Sequence, residues 1–511
     1  MLAPTNAETV TMQIRTILSI TGERPISVML ALAFVGVTAS ACTSDRDPAA
    51  ATAPARESGT PSYTSSPGGS KIVNVSDDTT AQNETPIAVN PLNPMNLLIG
   101  SNDWNFNDGC AFNVSFDGGK TWTKTLPSGF IPAITRFTND PSVPGTGVYD
   151  LGGDPAVAFG PDGTAYFACF GYRGTQAALL LSRSTDGGRT WPNDPSQLAL
   201  VTAFQGQGVA RGSNGQFPDH EAIHVAGDGT IYVTWAQFNG FGSHSPVYLA
   251  TSTDGGRSFS QPVTVSSGSV RSDQDQRIVT DPATGTAYVT FDNSVQGGKG
   301  TAMFVSVSTN RGRSWSKPAQ LGTFQNPVCL FPTFCFNISG GQFRGPGSYP
   351  VPAFDPTRHR LYVAYTDIVA GRAQIFLTHA DVSDPTRWSS PQIVAPSTGD
   401  RINVEMSIEP GSGRIDLMTN DRSWSGNTLF DVTYLSSADG GSTWSVKRVT
   451  TTSWDPSQYG VPDGSTVRPF IGDYDGIVSL VGGAAIAWTG PGKTFGVLPT
   501  NLEVFFSSVA P

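Results

Sequence analysis

The chain has 511 residues, enough to bury a sizeable core, and only 14% of them are charged, against 57 Gly and 38 Pro. That mix suits many short strands and tight turns and argues against long charged helices. The net charge of −10 argues against nucleic acid or anionic lipid as the main partner, because both reward a basic face.

Residues 1–42 read as a targeting segment rather than part of the fold. Arg15 and Arg24 precede the apolar run ISVMLALAFVGV (26–37), and small residues follow, Thr38-Ala39-Ser40-Ala41-Cys42. This is the order of a signal peptide, and the run is short for a membrane span. Two cleavages fit. Ala39-Ser40-Ala41 suits ordinary signal peptidase. Ala39 to Cys42 also resembles a bacterial lipobox, with Ala39 in the place usually held by Leu, and makes Cys42 the lipidated first residue. The favoured expectation is an exported lipoprotein on the cell surface or periplasmic face, with simple secretion as the alternative. Residues 43–70, rich in Ala, Pro, Ser, Thr and Gly, read as a disordered stalk.

Setting Cys42 aside leaves Cys110, Cys169, Cys329 and Cys335. An even remainder in an exported chain reads as two disulfides. Cys329 and Cys335 bracket a short loop, CLFPTFC, and are the preferred pair, which leaves Cys110 with Cys169. Four unpaired, buried thiols are the alternative. No Cys/His spacing suggests zinc.

Past residue 70 the chain repeats. The motif S-x-D-x-G-x-[ST]-[WF] occurs as Ser115-Phe-Asp117-Gly-Gly119-Lys-Thr121-Trp122 and as Ser184-Thr-Asp186-Gly-Gly188-Arg-Thr190-Trp191. It returns at Ser252 to Phe259, at Ser308 to Trp315 with Asn310 in place of Asp, and at Ser437 to Trp444, with a worn copy from His379 to Trp388. Asp closes a turn by accepting backbone N–H groups, Gly supplies positive φ, and the aromatic packs the hairpin down. A second repeat runs in phase: a short strand, a Gly/Asn/Asp/Pro turn, then an apolar strand. Its seven copies begin at Pro86, Pro155, Ala222, Arg277, Val351, Val404 and Asp475. Each reads as a pair of inner strands, with a third strand leading into the turn motif and a fourth following it.

The turn motif resembles the Asp box, or bacterial neuraminidase repeat, and the resemblance covers residues 71–511. It implies an all-β fold, a β-propeller of four-stranded blades almost without helices. The inner pairs favour seven blades, with six as the alternative. The seventh unit stops after its third strand, and Lys71-IVNVS is placed to supply the missing one and close the ring.

Asp-box propellers include sialidases, six-bladed exo-glycosidases that cleave terminal sialic acid. In them the Asp boxes lie at the periphery, so these residues stay off the catalytic list. The resemblance implies three Arg gripping a carboxylate, a Tyr nucleophile activated by Glu, and an Asp acid/base, all at the channel mouth. Segments that approach the inner strands carry Glu84, Asp154, Asp219, Glu221, Asp273, Arg277, Tyr349, Arg401, Glu405, Asp473 and Tyr474, with Arg344 and Arg468 nearby. Second-strand ends add Asp103, Trp104, Asp292, Asp367, Asp421 and Arg422. Carried over, the assignment is Asp154 as acid/base, Glu221 behind Tyr474, and a clamp of Arg277 or Arg344 with Arg401 and Arg468.

The chain departs from the family where an early F/Y-R-I-P motif is expected. It reads Glu84-Thr85-Pro86-Ile87, with no Arg. Arg277 and Arg401 are equally suited to pairing with the mouth carboxylates. His220 and His224, four apart on a strand start, are expected to face one side and form no triad. No organic cofactor is implied. Asn102 to Asp108 and Ser272 to Asp275 are the places where oxygen ligands for Ca²⁺ gather, with solvated turn residues as the alternative, and neither matches an EF-hand.

Two functions follow: a sialidase-like exo-glycosidase acting on extracellular glycans, or a non-catalytic surface propeller binding glycan or protein. Trp104, Trp235, Trp424 and Trp488 are aromatic candidates for sugar stacking or for core. The expected partner is an extracellular glycan or surface protein, with no nucleic acid, membrane contact only through the lipid anchor, and a monomeric chain.

Overall fold

The structure is a computed structural model. It describes residues 71–511 except 78–79, 105–107, 124–130, 132, 137–144, 206–214, 240–244, 269, 271, 294–300, 326–335, 339–340, 344–347, 464–465 and 493–500. The expected signal segment and stalk, with Cys42, Cys329, Cys335 and Arg344, lie outside the described residues.

Each repeat folds as an antiparallel sheet, and there are seven of them. The second strands, such as Ala287–Asp292 and Ile415–Asp421, are buried along their whole length. Burial on both faces follows from having a neighbouring blade on each side, and polar residues they carry, such as Asp416 bonded to Arg414, are paired. Blade 2 is representative: Leu151–Phe159, Ala165–Arg173, Gln176–Ser184 and Ala199–Gln205 pair in chain order. In blade 1 the outer strand shrinks to a bridge between Val114 and Thr123. Blade 7 takes its outer strand from the start of the described chain. Val73–Asn74 pairs with Leu502–Val509, Val73 opposite Phe506 and Asn74 opposite Phe505. The predicted closure is therefore observed, with seven blades rather than six. Among the described residues the helices are three 3-10 turns of three residues each.

Seven buried apolar clusters hold the ring, one per interface between neighbouring blades. Leu98, Phe112, Phe167 and Trp191 fill the seam of blades 1 and 2. Met418, Tyr434, Ile486 and Trp488 fill that of blades 6 and 7. Leu97, Ile99, Val504 and Phe506 close blade 7 onto blade 1. The other four seams have clusters of the same kind. Trp235 and Trp488 are core side chains, fully buried. Cys110 of blade 1 and Cys169 of blade 2 form a disulfide across the first seam.

The Asp boxes sit at the outer hairpins. In the first, Ser115 Oγ donates to Asp117 (2.9 Å) and accepts the Gly119 N–H (2.9 Å), while Asp117 accepts the Thr121 N–H (2.9 Å) and hydroxyl (2.6 Å). The same pattern recurs at Asp186, Asp254 and Asp439. Asp reaches four residues ahead, farther than an Asx turn, because Ser takes the nearer donor. Asn310 keeps the geometry without charge, its amide donating to Ser314 Oγ (2.8 Å) where a carboxylate would accept. The second glycine faces the preceding blade: a Cβ at Gly119, whose φ is +84°, would lie 2.0 Å from the Phe506 ring.

Candidate functional site

The innermost strands of blades 2, 3, 4 and 6 share one irregularity. Pairing slips between Gly153 and Ala156, Asp219 and Ala222, Gln274 and Arg277, and Ile402 and Glu405. At each slip a non-glycine residue is left-handed: Asp154 (φ 54°), His220 (φ 54°), Asp275 (φ 56°) and Asn403 (φ 55°). Glu84, ahead of blade 1, does the same (φ 58°). Asp, Asn and His tolerate this region best, at a cost on the order of 1 kcal/mol each. Bulges re-aim side chains, and here they gather polar groups from across the ring.

Contacts between blades that are not neighbours place the cluster on the ring axis. The His220 ring of blade 3 stacks on Tyr474, which precedes blade 7 (centroids 5.0 Å apart, planes at 21°), and meets the Tyr349 ring edge-on (5.6 Å). Tyr474 OH donates to the Pro155 carbonyl of blade 2 (3.0 Å). Arg277 lies over both phenol rings, 5.2 Å from Tyr349 and 5.3 Å from Tyr474. Its guanidinium is 3.8 Å from Glu405 Oε1. Tyr349 OH shares its proton between that same oxygen (3.0 Å) and the Asp473 backbone carbonyl (3.1 Å).

Arg277 also bonds His220 Nε2, and His220 Nδ1 lies 2.7 Å from Asp275 Oδ1. A guanidinium only donates, so Nε2 accepts and Nδ1 carries the proton toward Asp275. Asp154 Oδ2 accepts the His220 N–H (2.9 Å), and Asn102 bonds both Glu84 (2.7 Å, Nδ2 donating) and the Asp154 N–H (2.9 Å). Asp475 accepts from Thr85 Oγ1 (3.1 Å), Asn403 Nδ2 (2.8 Å) and the Thr489 N–H (2.9 Å), tying blades 1, 6 and 7 together.

Burial sets the electrostatics of the cluster. It pushes the Tyr349 and Tyr474 phenols well above their ordinary value, with Glu405 adding to the first and Glu84 to the second. Burial also raises Glu405, opposed by the Arg277 charge and the Tyr349 hydroxyl. Glu221 is raised well above the carboxylate range by burial and by Asp154, and neither of its oxygens has a hydrogen-bond partner among the described side chains and backbone. Burial lifts Asp475 to about 7.

The structure thus brings Asp154, Glu221, Arg277 and Tyr474 to one place. Glu221 is not hydrogen-bonded to Tyr474, whose hydroxyl is spent on Pro155. Arg401 is buried elsewhere in blade 6, its Nε on Asp421 (2.8 Å) and its Nη1 on the Ala395 carbonyl (2.7 Å). The Arg468 backbone lies in the short strand Thr466–Arg468, and its side chain is outside the described residues. Trp104 is buried with Nε1 on Asn83 (3.0 Å). His220 and His224 both reach the innermost strand of blade 4, His220 at Asp275 and Arg277 and His224 at Thr280. The His224 Nε2 to Thr280 Oγ1 contact is 2.8 Å. No group of three or more His, Cys, Asp or Glu among the described residues is arranged to hold a metal ion.

The pairing of Tyr349 with Glu405 and the His220–Asp275 contact were not assembled by sequence reasoning. A usable signal was present: Asp154, His220, Asp275 and Asn403 each stand two residues before the slip closes, and all are residue types that accept positive φ.

The BNR/Asp-box repeat family matches at residues 114–124, the first of the outer hairpins. The chain is a seven-bladed β-propeller with Asp-box hairpins. Solved structures similar to this propeller include an ulvan lyase of polysaccharide lyase family PL25, with 12% identity over 85% of this chain and 95% of that one and a TM-score of 0.47. A Penicillium chrysogenum alpha-L-arabinanase has 14% identity over 70% and 92%, with a TM-score of 0.40. A Trypanosoma rangeli sialidase has 11% identity over 71% and 55%, with a TM-score of 0.42. Among curated proteins none matches the chain in sequence.

Proposed function

We propose that this Asp-box propeller is an exported, glycan-acting hydrolase with sialidase-like chemistry, working on a sugar that carries an anionic group. The observation that supports this reading is the Tyr349 hydroxyl on Glu405 (3.0 Å) beside Arg277. Arg277 binds the anionic group. Glu405 takes the phenolic proton as Tyr349 Oη attacks the anomeric carbon, and the glycosidic bond breaks to leave a tyrosyl glycoside. Asp275, with 18% of its side chain exposed, enters the cycle protonated on Oδ2, the oxygen not engaged by His220, and gives that proton to the leaving oxygen. It then takes a proton from the attacking water while Glu405 returns its proton to Tyr349 as the sugar is released. The bulged backbone fixes the geometry, and Asp154 holds it through the His220 N–H.

The test is turnover of fluorogenic glycosides of sialic, glucuronic and galacturonic acid by the chain lacking residues 1–42. Tyr349→Phe and Glu405→Gln are expected to lose roughly a hundredfold or more in kcat. Tyr474→Phe is expected to stay within a few-fold, its hydroxyl being committed to Pro155.

A second reading, non-catalytic glycan binding at the same axial site, is favoured by one observation. Arg401 is used up by Asp421, and no Arg stands at Glu84 to Ile87, so Arg277 is the cation on the described axis. A folded chain that turns over no glycoside yet binds an acidic glycan, and loses binding on Arg277→Ala, would establish it. Export rests on residues 1–42. Cys42→Ala is expected to move the protein from the membrane to the soluble fraction.

A further inference from the structure

Blade 6 presents a large aromatic ring on the side where the axial cluster gathers. Its innermost strand, Arg401–Ile408, begins at that end and carries Asn403 and Glu405 into the cluster. Its second strand, Ile415–Asp421, finishes at the same end, with Asp421 opposite Arg401. Trp424 follows three residues later and is 43% exposed.

The ring is held by polar bonds rather than by packing. Trp424 Nε1 donates to Thr433 Oγ1 (2.7 Å), and the Arg448 guanidinium lies 6.0 Å from the ring centroid, itself fixed by Asp431. The loop beneath is fully tied: Ser425 Oγ accepts the Leu429 N–H (2.7 Å), Thr428 Oγ1 donates to the Ser425 carbonyl (2.7 Å), and Asn427 accepts the Asp400 N–H (2.7 Å). Trp424 belongs to none of the seven seams. An aromatic oriented this firmly while left in water marks a recognition surface.

The surroundings select the kind of ligand. A protein interface needs contiguous apolar area. Among the described residues of blade 6 the exposed large apolar side chains are Trp424 and Val446 of the outer strand, too few for such an area, and the partners of the ring and of Arg448 are Thr433, Ser453 and Asp431. A flat ring framed by hydroxyls and a guanidinium suits the C–H face of a sugar, whose hydroxyls then meet the polar frame.

We propose that Trp424 is the platform of a distal glycan subsite, and that the ligand is an oligo- or polysaccharide lying from the axis out across blade 6. This rests on the glycan reading of the axial site. Thr433 is on the third strand, about 10 Å outward of the innermost one at ~4.8 Å per strand, which is farther than a single sugar ring spans.

The test uses affinity electrophoresis of the chain lacking residues 1–42 in gels containing polygalacturonate, hyaluronan or xyloglucan. Trp424→Ala, Trp424→Phe and Arg277→Ala are run beside the wild type, with thermal melting as the fold control. Trp424→Ala is expected to weaken retardation by roughly three- to tenfold on at least one polymer, Trp424→Phe to restore most of it, and hydrolysis of short aryl glycosides to be unchanged. Equal retardation of the wild type and Trp424→Ala, or no retardation on any of the three, overturns the subsite. Weakening by Trp424→Ala with no effect of Arg277→Ala on polymer or aryl glycoside leaves the subsite standing and removes the axial reading.

Discussion

At the rim, Asp117, Asp186, Asp254 and Asp439 each accept a backbone N–H and a hydroxyl inside one hairpin, and these bonds hold the carboxyls below their ordinary range. On the axis, Glu221, Glu405 and Asp475 are buried among groups from different blades, and burial drives them up. Rim carboxylates are stabilised as anions by local donors and can be repeated around the ring without change. Axial carboxyls meet partners from blades that differ, so each is unique. The repeat builds the ring, and its divergence at the bulges supplies the chemistry.

The sharpest contrast between the two regions is in pH. Asp475 is raised from 3.8 to about 7, so its contribution to stability is full below about pH 4 and is lost as pH rises through about 7. At about 1.4 kcal/mol per pKa unit the loss is at most about 4 kcal/mol. Asp475→Asn mimics the neutral acid, and urea midpoints between pH 4 and 8 are expected to fall for the wild type and to flatten in the variant. An unchanged slope would mean that Asp475 is not the titrating group.

Gly119→Val tests the rim as a clamp between blades 7 and 1. A β-branched side chain at φ +84° facing Phe506 is expected to cost about 3 kcal/mol in denaturant midpoint. Axial turnover or binding by the folded fraction should be unaltered. A cost near zero would show that the Asp-box glycine does not set blade spacing.

Tyr349→Phe removes the phenolic donor from buried Glu405 and is expected to destabilise by about 1–2 kcal/mol, besides its effect on turnover. The smallest effect belongs to the rim. Asp117→Asn keeps the geometry already seen at Asn310 and should cost about 0.5 kcal/mol at neutral pH, solvent screening having weakened the charge. Because Asp117 is lowered to about 2, its contribution is present above about pH 4 and lost as pH falls toward 2, where wild type and variant should converge.

Much of this architecture was readable from the chain. Seven inner pairs and the closing strand at Val73–Asn74 follow from repetition and turn chemistry, and the bond between Cys110 and Cys169 is the pairing left once Cys329 is set against Cys335. The site was readable only as a pool of mouth residues. Arg401 and Arg277 looked alike in sequence. Arg401 sits ahead of its bulge, directly opposite Asp421, and pairs with it, whereas Arg277 sits just past its bulge and reaches the axis. Tyr349 and Tyr474 looked alike as well: both hydroxyls meet a backbone carbonyl, of Asp473 and of Pro155, and Tyr349 also meets the Glu405 carboxylate.

The sequence alone determined the blades, because strand period, turn residues and Asp boxes are local signals that repeat. Tertiary structure decided which polar side chains meet on the axis. One extra residue in an inner strand turns everything beyond it to the other face, and whether the partner from another blade is an acid, a phenol or a carbonyl depends on how the ring closes.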